Sequence, residues 1–229
     1  MKLKDLKKKT LGLILLTLVA GGGALYFRFV RAGLLMPITD LPAVIWLSFL
    51  PPDDSFHPQL EGEELLNRET SLQQLLGDDF NQDNVTILVE KSKYRLTVFS
   101  DRQPIKSYPV VFGDSPSAGD KLREGDRKTP EGMYFIRDLY PHQGWSKFLW
   151  IDYPRPSSWR EHFQAKLSGE LGWQHPIGGE IGIHGVPSGT DSRIGEKNNW
   201  TLGCISLTNK DVDEIYEVVK AGTLVEIVS

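Results

Sequence analysis

The 229-residue chain reads as a mostly β domain, a curved mixed sheet or sandwich closed by a C-terminal helix, with one apolar N-terminal helix ahead of it. Three observations give that reading. From residue 84 onward apolar residues alternate with a period of two, the spacing of a half-buried strand. After residue 207 they return to helical spacing behind a capping residue. Residues 11–27, LGLILLTLVAGGGALYF, carry no charge and come after a lysine-rich start.

The N-terminal part divides the charge of the chain. Residues 1–31 hold seven Lys or Arg against one acid, Asp5, so they contribute +6 and leave −10 for residues 32–229 out of a total of −4. An acidic main domain lacks the electrostatic footprint of a nucleic-acid binder. The uncharged run of 17 residues sits at the short end of the roughly 17–25 that span a bilayer. It is longer than the roughly 7–15 of a signal-peptide apolar region. An uncleaved anchor and a cleaved signal both fit, and the anchor fits the length better. Either one exports the rest of the chain, with the lysines held in the cytoplasm. The expectation is a single-pass membrane protein with its main domain on the extracytoplasmic side.

Residues 32–83 read as a juxtamembrane segment or linker. Pro37, Pro42, Pro51, Pro52, Pro58 and Asp40 argue against a second span. LPAVIWLSFL, residues 41–50, is expected to lie on the bilayer or on the domain. Leu65, Leu66, Leu72, Leu75 and Leu76 fall near helical spacing over 61–77, with Gly77 as a stop.

The β domain is expected over 84–229. Val85, Ile87 and Val89 alternate, then Tyr94, Leu96 and Val98, with Glu90-Lys91-Ser92-Lys93 as the turn between them. Ile105, Tyr108, Val110 and Phe112 supply a third strand, which makes an antiparallel meander. Residues 113–132 are rich in Gly, Asp, Ser and Pro and read as a loop. MYFIRDLY, 133–140, is a further strand. Residues 141–180 read as an irregular, aromatic-rich insertion with Trp145, Trp150, Trp159 and Trp173. IGIHG, 181–185, reads as a strand delivering His184 at its end. Thr208 with Asp211 reads as a capping box ahead of Val212, Ile215, Tyr216, Val218 and Val219. Leu224, Val225 and Ile227 form a last strand.

Cys204 is the only cysteine, so an exported domain cannot pair it internally, although cysteines usually pair in an oxidising compartment. It lies in WTLGCISLTN, residues 200–209, just ahead of the C-terminal helix. Cysteine acyl transfer needs a thiolate, a base for the thiol proton and donors for the oxyanion. Cys204 and His184 can supply the first two, the imidazole lowering the thiol pKa. Gly203 lets the backbone approach a substrate closely. A lone Cys and a distant His are weak evidence alone, and a buried structural thiol is the plain alternative.

The segment from His184-Gly185 through TLGCISLTN resembles the catalytic motif of L,D-transpeptidases, a His, a loop, then Ser/Thr-His-Gly-Cys. Sixteen residues separate His184 from Thr201, which fits that loop. GDRKTPEGMYFI, residues 125–136, is similar to the family's Gly-Asp…Thr-Pro-Glu-Gly segment. The resemblance covers roughly residues 84–229, and two separated motifs in order make it specific. It implies the family's mostly β catalytic fold and a cysteine acyltransferase acting on peptidoglycan stem peptides in cell-wall biogenesis and cell shape. It implies Cys204 as nucleophile, His184 as base, amides at Gly203 and Cys204 as oxyanion donors, and the Gly185 carbonyl as the group that orients the imidazole. Neither cofactor nor metal is implied. Two positions depart from the pattern: Leu202 stands where the family has its second His, and Ser206 where it commonly has Arg. Leu202 leaves the dyad intact but opens the choice between transfer and hydrolysis. A catalytically inert wall-binding module and, more remotely, a zinc hydrolase complete the alternatives.

Thr201 and Trp200, ahead of the motif, are expected to shape the pocket. Tyr153, in WIDYP, and Arg193, in the loop after His184, are candidate substrate contacts, against core packing and a solvated surface position respectively. Asn209 is expected to cap the helix. His57, His142, His162 and His175 lack metal-ligand spacing. Oligomeric state has no signature in the sequence.

Overall fold

The architecture is that of a computed structural model, which describes residues 19–50, 55–58, 60–115 and 119–229. The meander forms as its alternation requires: β1 (Val85–Glu90), β2 (Arg95–Ser100) and β3 (Gln103–Pro109) pair antiparallel. The remaining strands are β4 (Gly132–His142), β5 (Ser146–Ile151), β6 (Gly182–His184), β7 (Ile205–Ser206) and β8 (Leu224–Val228). Among the described residues these eight strands join one mixed sheet in the order β3-β2-β1-β8-β4-β5-β6-β7. The last strand in sequence fills the centre, parallel to β1 and antiparallel to β4.

The two ends of that order meet. Beyond β3 the chain bridges to β7 at Val111↔Ser206 and to the preceding loop at Gly113↔Thr201. Val111 and Ser206 exchange both backbone hydrogen bonds, at 2.9 and 2.8 Å. The sheet therefore curls back on itself, and the cysteine loop is held at the seam.

Its concave face is the core. Ile87, Val89, Leu96, Val98, Tyr108, Ile151, Ile183 and Val225 are buried together there with Val212, Ile215 and Val218 of the C-terminal helix, Asn209–Val218. Thr208 caps that helix by accepting from Asp211 N at 3.2 Å, as its sequence indicates.

The opposite face of β1 and β2 is also covered, which explains why every residue of β2 is buried. Residues 55–58 and 60–64 lie across it. His57 bridges Glu226 (Nδ1 to Oε2, 2.7 Å) and Thr86 (Nε2 to Oγ1, 2.7 Å). Arg95 bonds Glu90 through Nε at 2.7 Å and donates to the carbonyls of Leu60, Gly62 and Glu64 at 3.0–3.1 Å. Helix α3 (Leu72–Leu76) is capped by Ser71 and Gln74 and buries Leu72 in the core. The helix expected over 61–77 is thus only five residues long, because Ser71 starts a new element there. Arg95→Met is expected to lower unfolding free energy by about 3 kcal/mol, because buried Glu90 is left with Lys93 Nζ, at 2.8 Å, and the carbonyls of Leu60, Gly62 and Glu64 lose the donor that Arg95 supplies; a urea titration measures it.

Residues 141–180 correct the sequence reading. They hold β5 and a 12-residue helix, α4 (Pro156–Leu167). The buried face of α4 includes Ser158, His162 and Lys166 beside Trp159 and Ala165, so no apolar stripe announces it. β5 is an interior strand whose apolar run Phe148-Leu149-Trp150-Ile151 has no period of two.

At the N-terminal side residues 19–31 are helical (α1), and α2 (Leu41–Leu47) packs on α4. Residues 11–18 of the expected span lie outside the described residues. Among the described residues no helix is long and apolar enough to cross a membrane.

Candidate active site

His184 ends β6, and Cys204 immediately precedes β7, its parallel neighbour; Ile183 faces Ile205 and His184 faces Ser206. His184 is thus the last residue of β6 and Cys204 lies one residue ahead of β7, the neighbouring parallel strand, although the two are 20 positions apart in sequence.

His184 is 2% exposed and heavily fixed. Its Nδ1 lies 2.6 Å from the Gly185 carbonyl. A carbonyl can only accept, so Nδ1 carries the proton and Nε2 keeps its lone pair. The ring stacks on Trp145 (centroids 4.4 Å, 24°) and lies nearly parallel to Phe148 (5.8 Å, 9°), with Trp200 edge-on at 5.6 Å. Burial among these rings, reinforced by the nearby His142, pulls the His184 pKa down to about 4 against the opposing Gly185 hydrogen bond.

Gly185 is the hinge of this arrangement. Its N–H donates to the Trp145 carbonyl at 3.0 Å, and its carbonyl also accepts from Ser206 Oγ at 3.2 Å. A Cβ at this position would fall 2.1 Å from Asn209 Oδ1 and 2.6 Å from Trp145 O. Asn209 is therefore more than a helix residue: its Oδ1 accepts from Val186 N at 3.1 Å and holds the turn after the histidine.

The thiol of Cys204 points at the Glu180 carbonyl, 3.6 Å away. Its pKa is pushed up to about 11, by desolvation first, with Glu180 adding to it and the Gly182 backbone and Lys121 opposing. This reverses the expectation of a thiol made acidic by its histidine. Both shifts favour the uncharged forms, a thiol and a neutral imidazole, over thiolate and imidazolium. Alkylation of Cys204 by iodoacetamide is expected to accelerate through pH 9–11 without a plateau near neutrality; a stopped-time mass assay across pH measures it.

The loop around the cysteine is built by Thr201 and Gly203. Thr201 Oγ1 donates to the Cys204 carbonyl at 2.7 Å and accepts from Gly203 N at 3.1 Å. The Gly203 amide is thus engaged with Thr201, a correction to its expected place as a free oxyanion donor. Gly203 has φ +139°, and a Cβ there would sit 2.8 Å from Lys128 O. Lys128 belongs to the 125–132 motif, whose Asp126 accepts from Leu122 N, Arg123 N, Lys128 N and Lys121 Nζ at 2.8–3.1 Å. That motif forms the floor under the cysteine loop. Beside it opens a depression of about 390 Å³ lined by Leu122, Arg123, Arg127, Lys128, Glu170 and Leu171 among others.

The other candidates separate. Trp200 lines the site against His184, and the Arg193 guanidinium stacks over its ring at 5.6 Å, so Arg193 joins the site's edge through Trp200. Tyr153 does not join it: it is a core residue, 3% exposed, with its hydroxyl donating to Ile177 O at 3.3 Å. Its place before a proline in the sequence concealed that it faces inward. Trp145 was visible as one of four insertion tryptophans, whereas Phe148 sits inside a strand run and gave no signal. Among the described residues no group of three His, Cys, Asp or Glu side chains is arranged to hold a metal ion.

Acidification is expected to unfold the protein through the same histidine. His184 titrates below its unfolded value, so between about pH 6.5 and 4 the unfolded chain binds more protons and stability falls as pH falls. The loss expected from this residue is about 3 kcal/mol at full titration; denaturant midpoints at pH 7.5 and 4.5, in wild type and His184→Phe, measure it.

A histidine fixed by a backbone carbonyl on the strand next to a cysteine supplies two of the groups that thiol acyl transfer uses. The sequence profile of the YkuD L,D-transpeptidase catalytic domain matches residues 84–227, more than half the chain, and the protein belongs to that family. Sequence comparison with curated proteins gives no match. Solved structures with a similar fold include Bd1075 of Bdellovibrio bacteriovorus (22% identity, 72% of this chain and 54% of that one, TM-score 0.45). They also include the helical cell shape determining protein Pgp2 of Campylobacter jejuni (23%, 68% and 53%, 0.45). A third is L,D-transpeptidase 3 of Mycobacterium tuberculosis, solved with a faropenem-derived adduct (16%, 64% and 60%, 0.43). The chain spans about half the length of the first of these.

Proposed function

We propose that the protein is a cysteine-dependent peptidoglycan L,D-transpeptidase, with Cys204 as nucleophile and His184 as base. The observation that carries this is the Nδ1–Gly185 hydrogen bond, which fixes the tautomer and leaves Nε2 to take the thiol proton. Because the resting pair is neutral, proton transfer accompanies attack rather than preceding it. Cys204 Sγ attacks the carbonyl of the third residue of a tetrapeptide stem while its proton passes to His184. The tetrahedral oxyanion is assigned to the Cys204 amide, since the Gly203 amide is held by Thr201. Collapse expels D-alanine, whose amine takes the proton from His184. The thioester is then resolved by the side-chain amine of a second stem, which links the two third residues and regenerates the thiol. Trp200, Thr201 and Arg193 shape the cleft, and no cofactor takes part in this scheme.

The same proposal includes an uncleaved single-pass anchor over residues 11–27 and an extracytoplasmic catalytic domain. It is supported by the basic start and the uncharged run.

A second reading is favoured by one residue. Leu202, 72% exposed, stands in place of the family histidine, and hydrolysis of the same thioester would make the enzyme an L,D-carboxypeptidase. The full chain in detergent, incubated with tetrapeptide-stem disaccharides and analysed by mass, distinguishes them. Free D-alanine with cross-linked dimer means transfer, tripeptide monomer alone means hydrolysis, and unchanged substrate overturns both.

A further inference from the structure

From Ala32 to Leu50 the chain holds a single charge, Asp40. This segment is not a loose tether. The Gly33 carbonyl accepts from Ile177 N at 3.0 Å, Met36 packs against the core, Val44 is buried, and Arg160 of α4 donates to the Leu47 carbonyl at 3.0 Å. One side of the segment is therefore docked on the domain. The other side presents Ile38 (69% exposed), Leu41, Ile45 (52%), Trp46 (66%), Phe49 (82%) and Leu50 to the outside. Water-soluble monomers rarely leave so dense an apolar cluster uncovered.

We infer that this face is a second membrane contact: α2 and the residues flanking it lie in the outer interface of the bilayer, with Trp46 and Phe49 inserted among the lipid headgroups and upper acyl chains. The direction of the chain identifies the occupant. Residues 19–27 of the uncharged run belong to α1, and Tyr26 among them accepts from Ile38 N at 2.6 Å, so the patch is tied directly to the segment proposed to cross the bilayer. Aromatic side chains with apolar neighbours are the groups that settle at a membrane interface. An interfacial helix normally carries its own polar face; here the docked catalytic domain takes that place, and the helix is free to be apolar wherever it is exposed. Such a contact needs no further spanning helix. It holds α4, and through it the domain, against the membrane surface instead of leaving the domain to swing on a linker.

The inference rests on the anchored reading, and the test separates the two. The full chain in a Cys204→Ala background is reconstituted in phosphatidylcholine–phosphatidylglycerol vesicles, with a nitroxide placed by Leu16→Cys, Ile45→Cys, Phe49→Cys or Arg102→Cys. Collision with oxygen and with a water-soluble nickel chelate is measured by EPR. The expected result is a lipid signature at 16, 45 and 49, with the oxygen-to-nickel ratio several-fold above that at 102. Lipid at 16 with water at 45 and 49 overturns the inference and leaves the anchor standing. Water at 16 with lipid at 49 removes the anchor and keeps the interfacial face. Labels at 45 and 49 shielded from both reagents, with dipolar broadening between molecules, mean that a second copy covers the face, and this also overturns the inference.

Discussion

Cys204→Ala is expected to abolish release of D-alanine from tetrapeptide stems, and His184→Ala to lower kcat/KM by about a thousand-fold, within the usual range for removal of a general base. The asymmetry comes from the site. In the proposed scheme the thiol is the atom that forms the bond, so nothing replaces it. The imidazole in that scheme receives a proton that water or buffer can take slowly. Because the thiol pKa is pushed up to about 11, little thiolate exists at neutral pH to react unaided, which makes the histidine variant slow. Its activity is expected to rise with pH toward 10 where the wild type levels off. Parallel kcat/KM profiles for the two enzymes over that range would mean that His184 does not act on the thiol proton. The double variant should be no worse than Cys204→Ala, as expected for groups acting as one unit.

Gly185→Ala is the structural counterpart. Its methyl would enter the space of Asn209 Oδ1 and the Trp145 carbonyl, at 2.1 and 2.6 Å. Neither can retreat cheaply: Asn209 holds Val186 N, and the Trp145 carbonyl holds the Gly185 amide. The substitution is expected to cost about 4 kcal/mol of stability, in the range reserved for steric or strained special positions. It is also expected to reduce turnover about a hundred-fold in whatever protein folds, because His184 Nδ1 loses its registered acceptor. Urea midpoints and kcat/KM on the same preparation check both. Asn209→Ala in the Gly185→Ala background relieves one of the two overlaps and should recover part of the stability and little of the activity.

Much of this site was legible in the sequence because its chemistry is concentrated in short motifs. The strand carrying His184 at its end and the glycine-backed loop carrying Cys204 ahead of β7 were readable from those motifs, whereas the engagement of the Gly203 amide by Thr201 was not. The alternating residues of β1 to β3 and the Thr208 cap were legible for the same local reason. What escaped depends on contacts distant in sequence. Helix α4 buries His162 and Lys166, and only the surrounding fold makes that face an inner one. Trp145 and Phe148 become the walls of the histidine only when β5 and the turn ahead of it pair with β6. The direction of the thiol shift was also out of reach, since it depends on how much protein surrounds the sulfur. Tyr153 points inward because the core has room for its ring beside Tyr134, 6.0 Å away, which no local pattern records. The polar face of β1 and β2 alternates as a solvent-facing one would, yet residues 55–58 and 60–64 cover it through Arg95 and His57.

The central claim is that Cys204 is an acylating nucleophile worked by His184. Its most direct test is intact-protein mass spectrometry of the full chain incubated with a carbapenem, whose strained carbonyl traps a reactive thiol as a stable acyl-enzyme. The expected result is one adduct of the drug's mass on the wild type, none on Cys204→Ala, and slow formation on His184→Ala. No adduct on the wild type, together with equal iodoacetamide alkylation of wild type and His184→Ala at every pH, would contradict it and leave an inert wall-binding domain as the better description.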